Sequence, residues 1–160
     1  MIRPDRRSAF GSLKFASLLY GPAGLKDPVS RRPRVLLAED DAEMRAMLRS
    51  ELRRDAYEVL EVSDGAEAAV LLSAMRNAPD EAPDVIIMDI RMPSRTGLEV
   101  LADLRKYDCH VPVVLITAFG ARDVHEKARQ LGAVAVFDKP FDVDDLRTAL
   151  LNCRPSAPAA

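Results

Sequence analysis

The sequence has no tryptophan, two cysteines and no apolar run near the ~20 residues that a membrane-spanning helix needs. Cys109 and Cys153 match no zinc-ligand spacing and no CxxC redox pair. They read as reduced thiols of a cytoplasmic protein. What is present is ordinary for a soluble domain: 160 residues, 48% apolar, 30% charged and net charge −2. That length suits one domain, with some chain left over.

Charge is unevenly spread. Residues 1–34 carry net +6 and the remainder net −8. A basic head on an acidic body marks a segment with separate duties or none. Pro4, Gly11, Gly21, Pro22, Gly24 and Pro28 punctuate this head, and only Phe10 to Tyr20 has the apolar spacing of a short amphipathic helix. Lys14 interrupts the apolar core that a secretory signal requires, and no clean cleavage site follows. Residues 1–32 are therefore expected to be a basic, disordered extension, residues 33–152 a folded domain, and residues 153–160 a disordered tail.

Within 33–152 two periodicities alternate. Arg34 to Ala38 (RVLLA), Val85 to Met88 and Val111 to Ile116 are continuous apolar runs, the pattern of strands buried on both faces. Tyr57 to Val62 alternates, as a less buried edge strand does, and Val134 to Phe137 is a short fifth strand. Helical spacing follows each strand. Met44, Met47, Leu48 and Leu52 define the first helix, with Asp41 placed to cap it. Ala66, Ala69, Val70, Leu72 and Ser73 mark the second, and Leu98, Val100, Leu101 and Leu104 the third. Arg122 to Leu131, closed by Gly132, is the fourth, and Asp142 to Leu151 the fifth. Strands alternating with helices predict a parallel sheet covered on both faces.

The strand ends carry the chemistry. Glu39 and Asp40 follow strand 1, Asp89 ends strand 3, Thr117 ends strand 4 and Lys139 follows strand 5. In one parallel sheet these ends share an edge, outside which ligands bind in open α/β folds. Three carboxylates in one place need compensation. Mg²⁺, with oxygen ligands and retained waters, is the expected cation. A lysine and a hydroxyl opposite it would complete a site for a tetrahedral, doubly charged group, as phosphoryl transfer requires.

The motifs LLAEDD, IIMDIRMPSRTG, ITAFGA and FDKPF stand in the order and near the spacing of the receiver domain of bacterial two-component response regulators, and residues 33–152 resemble that family. The resemblance implies a flavodoxin-like doubly wound sheet of order 2-1-3-4-5 with five helices. It implies that Asp89 is the phosphoacceptor, that Glu39, Asp40, Asp89 and the backbone carbonyl of Arg91 hold Mg²⁺, and that Thr117 and Lys139 contact the phosphoryl oxygens. Lys139-Pro140 would be a cis peptide. The chain departs from the commonest pattern at Val136, where many receivers have an aromatic switch three residues before the lysine. Phe137, the next residue, points to the other face of the strand. The polar loop from Asn77 to Pro83 is several residues longer than usual and reads as a tolerated insertion.

The implied partners are a sensor histidine kinase or histidine phosphotransfer protein upstream and a protein effector downstream. The effector would read the face formed by helix 4, strand 5 and helix 5. No nucleic-acid or membrane partner is expected, since only a Pro/Ala tail follows Leu151, and a homodimer is compatible with the family. His110 and His125 read as surface or loop residues, not as a phosphohistidine carrier. Two rivals compete with a stand-alone phosphoacceptor. One is a binding module that works without phosphorylation. The other is an aspartyl phosphatase, which wants a second acid two residues past its nucleophile. Here that residue is Arg91.

Overall fold

The computed structural model describes residues 31–153. The expectations for residues 1–30 and 154–160 lie outside the described residues. Five strands and five helices alternate: β1 (Arg34–Ala38), α1 (Ala42–Arg54), β2 (Glu58–Val62), α2 (Gly65–Met75), β3 (Val85–Asp89), α3 (Gly97–Lys106), β4 (Val113–Thr117), α4 (Arg122–Gln130), β5 (Ala135–Asp138) and α5 (Val143–Asn152). All strand pairs are parallel and the order is β2-β1-β3-β4-β5, so the fold is flavodoxin-like.

Side-chain alternation along the strands divides the core in two. Leu36, Ala38, Ile86, Met88, Val113 and Leu115 face α2, α3 and α4. Val35, Leu37, Val85, Ile87, Val114 and Ile116 face α1 and α5. Because β1, β3 and β4 are sandwiched, every second residue still meets a hydrophobic layer, and the strands read as unbroken apolar runs. Each fully buried Leu or Ile contributes roughly 1.5–3 kcal/mol. The alternating β2 lies at one sheet edge, as its pattern predicts.

Side-chain caps start four of the helices. Asp41 accepts from the Met44 N–H at 2.7 Å and Asp64 from the Glu67 N–H at 2.7 Å. Thr96 and Glu99 form a reciprocal capping box, and Asp142 accepts from the Asp144 N–H. Such caps contribute about 1 kcal/mol each and fix where each strand-to-helix turn ends.

Some details differ from the sequence reading. The buried face of α2 is Gly65, Ala68 and Leu72, whereas Val70 is 71% exposed and Ser73 faces solvent. Gly65 is fixed by packing, because a Cβ there would lie 1.9 Å from the Arg95 carbonyl oxygen. Val134 precedes β5 and is exposed, since α4 ends at Gln130 and the chain is still turning through Gly132 (φ +81°). The loop before β3 contains a 3₁₀ turn at Pro79–Glu81. Among the described residues, no helix is long and apolar enough to cross a membrane.

Candidate functional site

Glu39, immediately after β1, is 1% exposed, and its environment is fully specified. Its N–H donates to the Val62 carbonyl, its carbonyl accepts from Arg45 Nη1 at 2.8 Å, and its Oε1 accepts from the Asp41 N–H at 3.0 Å. Asp40, next in the chain, is exposed. Asp89 closes β3 and is 4% exposed; its Oδ1 accepts from the Arg91 N–H at 2.8 Å. Glu39, Asp40 and Asp89 each bring a carboxylate oxygen within 4.8 Å of the others. An all-oxygen set with this charge fits a hard divalent cation better than a soft one.

Lys139 closes the site from β5. Its Nζ lies 2.7 Å from Asp89 Oδ2 and 2.9 Å from Glu39 Oε2. The peptide bond it forms with Pro140 is cis, as the resemblance implies. Burial drives the Glu39 carboxyl up to about 7, against the pull of its hydrogen bonds from Lys139 and the Asp41 N–H, while Asp89 pushes the same way as burial. Burial alone would lower the Lys139 ammonium, but its hydrogen bonds to Asp89 and Glu39 outweigh that and hold it above the ordinary lysine value. One ammonium thus stands against two buried carboxylates, and Asp40 adds a third acid. The cluster carries excess negative charge.

Thr117, at the end of β4, is buried, and its Oγ1 accepts from the Phe119 N–H at 3.2 Å. Its carbonyl accepts from the Lys139 N–H at 2.8 Å, so the threonine and the lysine are joined through backbone. Gly97, at the start of α3, lies against the carboxyl end of β3, and a Cβ there would sit 2.5 Å from the Asp89 carbonyl oxygen. The exposed Arg91 places its guanidinium over the Phe119 ring, 4.7 Å from the centroid, and bridges the loops after β3 and β4. Phe137 packs with the α1 and α5 side of the core, 5.8 Å from the Phe141 ring, while Val136 takes the opposite face.

All six residues singled out from the sequence therefore lie at the carboxyl edge of the sheet. Two features were not anticipated. Arg45 anchors the Glu39 backbone, which the Asp41 cap implied, since a helix starting at Ala42 returns residue 45 over the strand end. His125, on the surface of the expected fourth helix, brings its Nε2 to 2.9 Å from Asp138 Oδ1, beside Lys139. No sequence spacing signals that pair.

Sheet order and crevice define a flavodoxin-like α/β domain whose polar chemistry is gathered at one sheet edge. The family model for the Response regulator receiver domain matches residues 35–151, and the chain belongs to that family, a signal-transduction module of two-component systems. It is 40% identical over 133 residues to the transcriptional regulatory protein PdtaR of Mycobacterium tuberculosis. That match covers 82% of this chain, which spans 61% of the relative's length. Sporulation initiation phosphotransferase F of Bacillus subtilis is 27% identical over 122 residues, covering 76% of this chain and 94% of that protein. The solved structure of Vibrio cholerae chemotaxis protein CheY4 superposes with TM-score 0.66 at 27% identity, covering 78% of this chain and all of that one.

Proposed function

We propose that residues 33–152 form a phosphoacceptor domain in which Asp89 takes a phosphoryl group from the phosphohistidine of a histidine kinase or phosphotransfer protein. The observation that carries this reading is the buried Asp89 carboxylate held between the Lys139 ammonium and the acids Glu39 and Asp40. Sequence similarity to a protein named as a sporulation phosphotransferase points the same way.

An Asp89 carboxylate oxygen attacks phosphorus in line as the phosphorus–nitrogen bond of the donor breaks. The electron pair leaves on the imidazole, and an aspartyl phosphate remains. Lys139 turns from Asp89 Oδ2 to a phosphoryl oxygen, and the Thr117 hydroxyl donates to another. Glu39, Asp40, Asp89 and the Arg91 carbonyl are the candidate ligands of Mg²⁺, which when bound neutralises charge on the transferring group. The new group adds about −1.5 to −2 charge and three acceptor oxygens, so it shifts the equilibrium toward a state in which Thr117 and Lys139 reach it. The face of α4, β5 and α5 is then read by a protein effector in the cytoplasm. Slow loss of the phosphoryl group to water is the only hydrolysis expected.

Intact mass after incubation with acetyl phosphate tests this directly. An adduct of ~80 Da that needs Mg²⁺ and is absent from Asp89→Asn supports the assignment. A folded wild type that gains no adduct from acetyl phosphate or from a panel of histidine kinases would instead be a module that binds partners without phosphorylation.

A further inference from the structure

The His125–Asp138 pair lies outside the acidic cluster, yet it closes a circuit around the Thr117 loop. The Val124 and His125 N–H groups both donate to the Ala121 carbonyl, which ties the far end of the loop to α4. The His125 ring then crosses to Asp138, 2.9 Å away on β5. Asp138 is the sheet partner of Thr117, and the Lys139 N–H donates to the Thr117 carbonyl. Gly120 sits inside this circuit: a Cβ there would lie 1.8 Å from Asp138 Oδ1 and 2.4 Å from His125 Nε2. The loop backbone is therefore seated on the closed pair, and both its ends are fixed.

We propose that the His125–Asp138 pair is a positioning clasp that holds the loop after β4 in its present arrangement and opposes the movement of Thr117 toward a modified Asp89. The proposal rests on the reading of Asp89 as the phosphoacceptor. When Thr117 leaves its hydrogen bond with the Phe119 N–H, Ala118 to Gly120 must follow, and Gly120 cannot shift toward Asp138 without opening the pair. The pair is partly exposed, so opening it changes the equilibrium by about two- to fivefold. The other charged groups along this face are Arg122 and the Glu126–Arg129 ion pair of α4. All three remain in every variant below.

The test is the affinity of full-length protein for beryllium fluoride with Mg²⁺, a tetrahedral phosphoryl mimic, followed by calorimetry and by the Thr117 and Lys139 amide resonances. His125→Ala should bind it about two- to fivefold tighter. Gly120→Ala should do the same, because its methyl group pushes the ends of both side chains apart while leaving both present. His125→Gln, which keeps an N–H donor toward Asp138, should match wild type. Unchanged or weaker binding in folded His125→Ala and Gly120→Ala overturns the clasp while leaving Asp89 as phosphoacceptor. A wild type that does not bind the mimic overturns both.

Discussion

The Lys139 ammonium spans two carboxylates, 2.7 Å from Asp89 Oδ2 and 2.9 Å from Glu39 Oε2. In the absence of metal it is their shared counter-ion. Lys139→Met should therefore destabilise the metal-free protein by up to about 3 kcal/mol, because the buried Asp89, and Glu39 to the extent that it is ionised, lose their counter-ion. The same change should tighten Mg²⁺ binding, since an ammonium no longer competes for those oxygens. Thermal melts and calorimetric Mg²⁺ titrations check both. Weaker metal binding in the variant would contradict the competition.

Glu39 carries a pH dependence with a definite sign. Its carboxyl is raised in the folded chain to about 7 from 4.5, so folding takes up a proton between those values. Stability from this group is then lost as pH rises through that window. Relative to Glu39→Gln, the metal-free wild type should lose roughly 2–3 kcal/mol between about pH 5 and pH 8. Saturating Mg²⁺ should offset the loss at the high end, because ligation requires the deprotonated carboxylate. Parallel pH profiles for the two proteins would refute it.

Gly97 is set by a close approach of two backbones. An added Cβ would meet the Asp89 carbonyl oxygen at 2.5 Å and the Ile90 Cα at 3.1 Å, and neither is a flexible side-chain end. Gly97→Ala should cost about 2 kcal/mol or more in chemical denaturation and lower the yield of the Asp89 adduct. An alanine variant as stable as wild type would mean that α3 can slide away from the strand.

The Arg91–Phe119 stack ties together the two loops that flank Asp89. Both side chains are exposed, so the contact contributes about 0.5–1 kcal/mol. Phe119→Ala and Arg91→Ala should each shorten the lifetime of the aspartyl phosphate about two- to fivefold by easing the approach of water. Mass spectrometry over a time course after removal of the phosphodonor gives the rate. An unchanged lifetime in both variants would remove the stack from the path of water.

Most of the fold was legible because burial leaves a one-dimensional trace. Val85 to Met88 must be apolar on both faces, and Asp41, Asp64 and Asp142 must stand where helices begin. The site was legible for the opposite reason: Glu39 and Asp89 interrupt that trace where packing gives no cause for a charge. The face of α2 was harder to read, because its inner face is built on the small residues Gly65 and Ala68 beside Leu72, while the larger Val70 is exposed. The His125–Asp138 pair was not legible at all. Its partners are 13 positions apart on elements whose crossing depends on how α4 settles against the sheet edge.

The hydrogen bond from the Lys139 N–H to the Thr117 carbonyl gives the protein a native spectroscopic label. An amide proton is deshielded according to the length of the bond it donates, and this one is 2.8 Å long. Any rearrangement that carries the threonine toward the acidic edge must stretch, shorten or tilt that bond. A single backbone resonance, needing no attached dye and no added tryptophan, would then register how far Thr117 has moved.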